Sequence, residues 1–386
     1  MGGWSSCTSQ QAVPDVVNAA ADTASDSGGG TEADTNTASD TSLEQVIGAT
    51  EMAADMGIGM GIANTLENTT AWETGWGLPE ISNEFITGMA ANGMKTVRVP
   101  VAWDTYSVNG VIPDDKMARV REVVEMIIAA DMYCIVNIHW DGGWIRNEGN
   151  DNEYQLTDDV RVKFESYWQQ IAAEFSDVGA NLVFEAMNEE GQYWIDGIVD
   201  GTPDYASLNE LNQLFVDTVR ASGGYNQIRN LMISGFATDI EKTCVAEFGI
   251  PTDPAGADKL LLSIHYFTPY SFCGLETPVD WNGIVYPETT WGTTEDTALL
   301  LSLFEKLATF TSIRNIPVVV GEYGVTVGGD DYLRETDSRI LWMTSVLQAC
   351  LENGFVPLLW DGGTEVNRMD GSLSFEFQQV LTMAGL

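Results

Sequence analysis

Asn181-Leu182-Val183-Phe184-Glu185-Ala186-Met187-Asn188-Glu189 and Pro317-Val318-Val319-Val320-Gly321-Glu322 are two short apolar runs, each ending on a carboxylate. Runs of this length and composition read as buried parallel strands. An acid at the C-terminal tip of such a strand points into the mouth of a barrel, where the sites of that architecture lie.

The same pattern recurs outward along the chain. Strands are predicted over Gly57–Ala63, Thr96–Val101, Tyr133–His139, Asn230–Ser234, Leu260–Tyr266 and Phe355–Trp360 as well. Helical periods alternate with them, at 80–92, 158–175, 205–221, 239–248, 296–312, 334–352 and 374–384. Pro113-Asp114-Asp115 opens one more, running to Ala130 with Val120, Val123, Val124, Ile127 and Ile128 on one face. Strict alternation predicts an α/β chain closed as a (β/α)8 TIM barrel, with a doubly wound open sheet as the alternative. Gly57-Ile58-Gly59-Met60-Gly61 lies within a strand and opens no helix, so it is a weak nucleotide signal.

Residues 8–43 are rich in Ser, Thr, Ala, Asp and Gly and lack apolar periodicity. Residues 1–43 are therefore expected to be a disordered tail or linker, and 44–386 the barrel domain. The chain carries 57 acidic and 17 basic residues, and all but seven of the acids lie beyond residue 50. Such a surface repels nucleic acid and anionic lipid and tolerates a neutral polymer. No apolar run reaches the ~20 residues of a membrane-spanning helix.

Five cysteines are too few and too scattered for a disulfide scaffold. Cys134 and Cys350 fall inside apolar patterns and read as buried thiols. Cys244 and Cys273 are open to pairing near one barrel rim. Cys7 follows Trp4-Ser5-Ser6, which fits either a lipid-attachment site or a plain tail thiol.

The predicted strand tips collect Asn64, Arg98, His139, Asn188, Glu189, His265, Glu322 and Trp360. Both histidines of the chain are among them. No spacing matches a metal site, and no cofactor is expected. Two carboxylates at one barrel mouth are what acid-assisted cleavage of a glycosidic bond requires. In that chemistry Arg98 holds a carboxylate ionised, and Glu189 keeps a proton, its pKa raised by burial and a neighbouring charge. Asn188 donates to a sugar hydroxyl, the histidines orient hydroxyls or the acid, and Trp360 offers a flat face to a pyranose ring. Loop aromatics (Trp72, Trp76, Trp103, Trp140, Trp144, Trp194, Tyr270, Trp281 and Trp291) would suit a cleft for a polysaccharide.

These residues resemble glycoside hydrolase family 5, and most closely its bacterial endoglucanase and xyloglucanase subfamily. The resemblance covers about residues 57–365. It rests on Asn64-Thr65-Leu66-Glu67, Trp72-Glu73-Thr74-Gly75-Trp76-Gly77, Val97-Arg98-Val99-Pro100-Val101-Ala102-Trp103 and Asn137-Ile138-His139-Trp140-Asp141-Gly142-Gly143-Trp144. Phe184-Glu185-Ala186-Met187-Asn188-Glu189, His265-Tyr266-Phe267-Thr268-Pro269-Tyr270 and Gly321-Glu322-Tyr323-Gly324 complete it. It implies a retaining endo-β-1,4-glucanase with Glu189 as acid/base and Glu322 as nucleophile. Arg98, His139, Asn188, His265 and Trp360 would line the central subsite, and Asn64, Trp144, Trp194 and Tyr266 would add to the substrate-binding set. The implied partner is a β-glucan such as cellulose, mixed-linkage glucan or xyloglucan. The implied protein is a monomer, secreted or at a bacterial cell surface. The same barrel acting on xylan or mannan, or a non-catalytic glycan-binding relative, are the alternatives.

Three positions depart from the family pattern. A Tyr that contacts the nucleophile is replaced by Phe267, unless Tyr266 or Tyr323 compensates. A second His is replaced by Trp140, and a Pro after the Asn-Glu pair by Glu190.

So large a charge excess repels itself in the folded state. The melting temperature is therefore expected to rise between low salt and about 1 M salt, where the screening length falls to ~3 Å. A melting temperature that stays flat across that range would show that self-repulsion is not destabilising the fold.

Overall fold

The computed structural model describes residues 46–193, 201–280 and 283–386. The predicted tail, Cys7, Trp194 and Trp281 lie outside these described residues. Eight parallel strands close into one barrel in sequential order. They are β1 (Gly59–Ile62), β2 (Thr96–Val99), β3 (Tyr133–Asn137), β4 (Leu182–Glu185), β5 (Leu231–Ser234), β6 (Leu260–Tyr266), β7 (Val318–Tyr323) and β8 (Val356–Asp361). The closing contact pairs β1 with β8 in parallel, Gly61 opposite Trp360. The predicted barrel stands, and the open sheet does not.

The strands are buried on both sides, so apolar alternation is weak in sequence but plain in space. Val97, Val99, Cys134, Val136, Leu182, Phe184, Leu262, Ile264, Val318 and Val320 face outward and pack under the helices. That layer includes α1 (Asn83–Ala91), α2 (Asp114–Ala129), α3 (Asp158–Glu174) and α4 (Tyr205–Ala221). The predicted face of α2 is buried through Val120, Val123, Val124 and Ile127. Ile135, Val183, Met232, Leu261, Val319 and Leu358 face inward and form a separate apolar layer.

Some short elements escaped the sequence pattern. A short helix, Ala49–Asp55, puts Ala49, Met52, Ala53 and Met56 against that inner layer and closes the barrel floor. Asp258 accepts from the Thr50 backbone N–H at 3.0 Å and from its hydroxyl at 2.8 Å, and so caps the helix from across the barrel. Seven residues beside a low-complexity stretch are too few to show a helical period. A two-stranded ribbon, Val279–Asp280 with Ile284–Val285, was likewise unread.

Cys134 and Cys350 are buried thiols, as expected. Cys244 and Cys273 are both free, which corrects the pairing left open above. Cys273 is buried beside the barrel mouth, while Cys244 neighbours Lys306 and Arg314 of the helix Thr294–Arg314. None of the described helices is long and apolar enough to cross a membrane.

The floor helix should contribute to stability and not to chemistry. Met52→Ala, at a fully buried site in the inner layer, is expected to cost about 2–5 kcal/mol in denaturant unfolding. Specific activity per folded molecule should not change. A loss under about 0.5 kcal/mol would show that the plug is dispensable.

Candidate active site

Above the apolar inner layer the barrel interior turns polar. Arg98 on β2 is fully buried, and an unpaired buried guanidinium would be very costly. Each of its three nitrogens has a partner. Nε donates to Glu185 Oε2 at 2.6 Å, Nη1 to Glu322 Oε1 at 2.7 Å and Nη2 to Asn188 Oδ1 at 2.7 Å. Ser263 Oγ donates to the other oxygen of Glu185 at 2.6 Å. Glu185 carries no role in the sequence reading. Its signal was there: a charge inside an apolar strand must find a buried partner.

Backbone irregularities aim the rim residues. The β6–β7 register shifts between Ile264 and His265, which puts His265 opposite Glu322. Such a bulge re-aims a side chain at a barrel rim. Glu189 follows β4 in a left-handed conformation, φ 51°, which a non-glycine residue adopts only under constraint. Its side chain is 46% exposed to the cleft, whereas that of Glu322 is buried. Gly61 leaves room for Trp360, since a Cβ there would meet the indole at 3.0 Å.

His265 stands between the two carboxylates. Its Nδ1 lies 2.8 Å from Glu189 Oε1 and 3.6 Å from Glu322 Oε2. An oxygen of Glu189 and one of Glu322 come within 4.8 Å of each other. Among the described residues this trio is also the one group of His, Cys, Asp and Glu side chains close enough for a metal ion. The Arg98 guanidinium on Glu322 makes it a poor place for a cation.

The electrostatics of the free site invert one expectation. Partial burial works to raise the Glu189 carboxyl. The hydrogen bond from His265 and the positive charges of His265, Arg98 and Arg146 outweigh it, and the group sits below its ordinary value. Glu189 was expected to be raised, and that is corrected. Burial instead pushes Glu322 up to about 7, against the pull of His265 and Arg98. Burial, then the charges of Arg98 and His265, hold His139 well below its ordinary value, so it is neutral.

The amides and the neutral ring have fixed roles. Asn137 Oδ1 accepts from Val101 N–H, which leaves its Nδ2 to face His139 Nδ1 at 3.3 Å. His139 Nδ1 is then the acceptor, and Nε2 carries the proton that a ligand would meet. Asn188 Oδ1 is taken by Arg98, so its amide NH2 is the group left for a ligand. His139 stacks on Trp360 at 5.5 Å and 12°.

A cavity of about 740 Å³ opens over this cluster, lined by Asn64, His139, Asn188, Glu189, Glu322 and Trp360 among others. His265 reaches it through Glu189, and Arg98 lies beneath. Two candidate residues are corrected. Tyr266 points out of the barrel and is buried against Phe304 and Trp342, because it follows inward-facing His265 by one residue. Trp144 packs edge-on to Tyr167 under Lys163 and does not line the cavity. Of the loop aromatics, Trp76, Trp140 and Tyr270 line the cavity with 50%, 41% and 51% exposure, while Trp103 and Trp291 are core.

Residues 50–365 match the family model described as cellulase (glycosyl hydrolase family 5). A xyloglucan-specific endo-beta-1,4-glucanase of Bacteroides ovatus is 31% identical over 302 residues, covering 75% of this chain and 58% of the relative. An endoglucanase A of Paenibacillus barcinonensis is 31% identical over 316 residues, covering 75% of each. Among solved structures, a GH5-4 broad-specificity endoglucanase from an uncultured bovine rumen ciliate has a TM-score of 0.76 at 31% identity. That match covers 88% of this chain and 99% of the other. A Bacteroides ovatus GH5 xyloglucanase in complex with a XXXG heptasaccharide has the same TM-score at 28% identity, covering 88% of this chain and 77% of the other.

Phe267 lines the cavity and brings no hydroxyl to it. Tyr323 cannot compensate, for it stacks on Trp342 as Tyr266 does. Phe267→Tyr should therefore add a donor near Glu322 and lower its carboxyl from about 7. A hydrogen bond to a charged group is worth roughly 1.5–3 kcal/mol, which bounds the drop at about one to two units. Carboxyl-carbon NMR titration reads it directly, and an unmoved Glu322 would show that the new hydroxyl does not reach it.

Proposed function

Because the chain belongs to glycosyl hydrolase family 5, we propose that it is a retaining endo-β-1,4-glucanase acting on cellulose-like, mixed-linkage or xyloglucan chains. Glu322 is the nucleophile and Glu189 the acid/base. One observation carries the retaining mechanism: carboxylate oxygens of the two residues within 4.8 Å. Retaining pairs stand roughly 5–5.5 Å apart, whereas inverting pairs leave about 6.5–9.5 Å for a water.

Glu322, oriented by Arg98, attacks the anomeric carbon while Glu189 gives its proton to the leaving oxygen. A glycosyl ester forms on Glu322. Glu189 then takes a proton from water, which attacks that ester and releases the sugar with its configuration kept. The His139 Nε2–H and the Asn188 amide donate to ring hydroxyls, and Trp360 carries the sugar face. The chemistry needs Glu322 ionised and Glu189 protonated, the reverse of the order in the free site. The pair titrates as a unit. A bound sugar excludes water from Glu189, which favours its protonated form.

Substrate class is supported by the lining. Among the described residues the cavity carries Glu67, Glu189, Glu276, Glu322, Asp361 and Glu365 and no Lys or Arg. A neutral glucan enters such a cleft more readily than a uronate-bearing polymer. Solved relatives hold a xyloglucan heptasaccharide and a cellotriose. The chain covers only 58% of the Bacteroides relative, so xyloglucan specificity is a proposal in its own right. A polymeric substrate does not cross a membrane, which supports the proposal that the enzyme is secreted or held at a bacterial surface. Cys7 is the candidate for lipid attachment there. Action as a monomer is part of the same proposal.

Removing each carboxylate should give a different signature. Glu189→Ala is expected to lose about 10²–10⁴-fold on polysaccharide but much less on a dinitrophenyl cellobioside, whose leaving group needs no proton. Glu322→Ala should be inactive on both. Proton NMR of early native products should show the β-anomer first; α-anomer first would overturn the retaining reading, and equal losses on both substrates would overturn the assignment of Glu189.

A further inference from the structure

Trp140 directly follows His139, lines the cleft and is 41% exposed. A ring of this size gains free energy when it is covered. Trp72, Trp144, Trp168 and Trp342 each pack on another ring, and Trp360 stacks on His139. Trp140 has no ring contact and no indole hydrogen bond among the described residues.

Its backbone is nevertheless held on both sides. The His139 N–H donates to the Val101 carbonyl at 3.0 Å. The buried carboxylate of Asp141 accepts from the backbone N–H groups of Asp104 and Thr105 and from the Thr105 hydroxyl, which ties this turn to the one after β2. Gly142 and Gly143 follow, each at φ 71°, and turn the chain away at once. A Cβ on Gly143 would meet the Glu148 carboxylate at 2.1 Å. The indole is therefore presented to the cleft before any ligand arrives, and such preorganisation lowers the entropic cost of binding.

Strand order gives its place along the cleft. Asn64, Trp76, Trp360 and Gly362 line the cleft from the ends of β1 and β8, which pair with each other. Trp140 stands beyond the tip of β3, and β3 pairs with β4, the strand that brings Glu189. An oxygen that takes its proton from Glu189 has its departing sugar on that side of the reacting ring. The ring hydroxyls of a β-1,4-linked glucan are equatorial, so each pyranose face is a patch of C–H groups that matches an indole face.

We infer that Trp140 is the stacking platform for the leaving-group sugar, and that it helps to set where along the chain the cut falls. This rests on the reading of the chain as a glucanase with Glu189 as acid/base. The indole gives area and no proton, so its contribution is to binding on one side of the scissile bond and not to the acid.

The test is Trp140→Ala, with Trp140→Phe as the variant that keeps a ring. Both are assayed in the full chain on a soluble β-glucan and on dinitrophenyl cellobioside, which has no leaving-group sugar. Trp140→Ala should lose about tenfold or more in kcat/KM on the glucan and nothing on the aryl glycoside. Trp140→Phe should recover most of that loss. If Trp140→Ala does not fold, Trp140→His carries the same comparison with a smaller ring. Equal losses on the two substrates, or an unchanged glucan rate, would overturn the inference while leaving the glucanase reading intact. A native protein inactive on both substrates would sink the glucanase reading and the role of Trp140 with it.

Discussion

Arg98 is a guanidinium with no access to water, and the site is organised by the need to satisfy it. Desolvating such a charge costs several kcal/mol unless its partners are well placed. Here three partners come from β4, the turn after it, and β7. Holding Arg98 therefore fixes Glu322 and Asn188 as well, and it fixes them on rigid strand ends. Glu185 has a distinct part in this. When Glu322 becomes a neutral ester in the proposed mechanism, Arg98 loses one counter-charge. Glu185, locked by Ser263, keeps the cation paired through that step, so the hub need not reorganise during turnover.

The strands and rim carboxylates were legible in sequence because a barrel strand is a short apolar run that ends where the site begins. Every predicted strand overlaps an observed one, with ends differing by a few residues. What stayed hidden depended on three dimensions. Glu185 lies in the same apolar run as Glu189, and only the inward register shared with Val183 shows that it faces the barrel interior. Tyr266 looked like a site residue by proximity to His265, yet strand alternation sends neighbours to opposite faces. Trp144 sits in a polar loop, where sequence alone does not separate a cleft wall from a lid over Tyr167. The floor helix has too few residues for a period, and its reason for existing, the open bottom of a barrel, is a property of the closed sheet.

The departures from the family pattern fall around the two carboxylates. Phe267 takes a hydroxyl away from the nucleophile, and the outward Tyr266 and Tyr323 do not return it. Trp140 stands where a second imidazole would be. Burial pushes Glu322 up to about 7 against the pull of His265 and Arg98. Glu190 then adds a buried carboxyl beside the acid. A site with a more basic nucleophile works only at higher pH, where an ordinary acid would already have lost its proton. With Glu189 below its ordinary value and Glu322 near 7 in the free site, the two carboxylates close the working window from both sides, and it opens only as a bound sugar dries Glu189 and favours its protonated form.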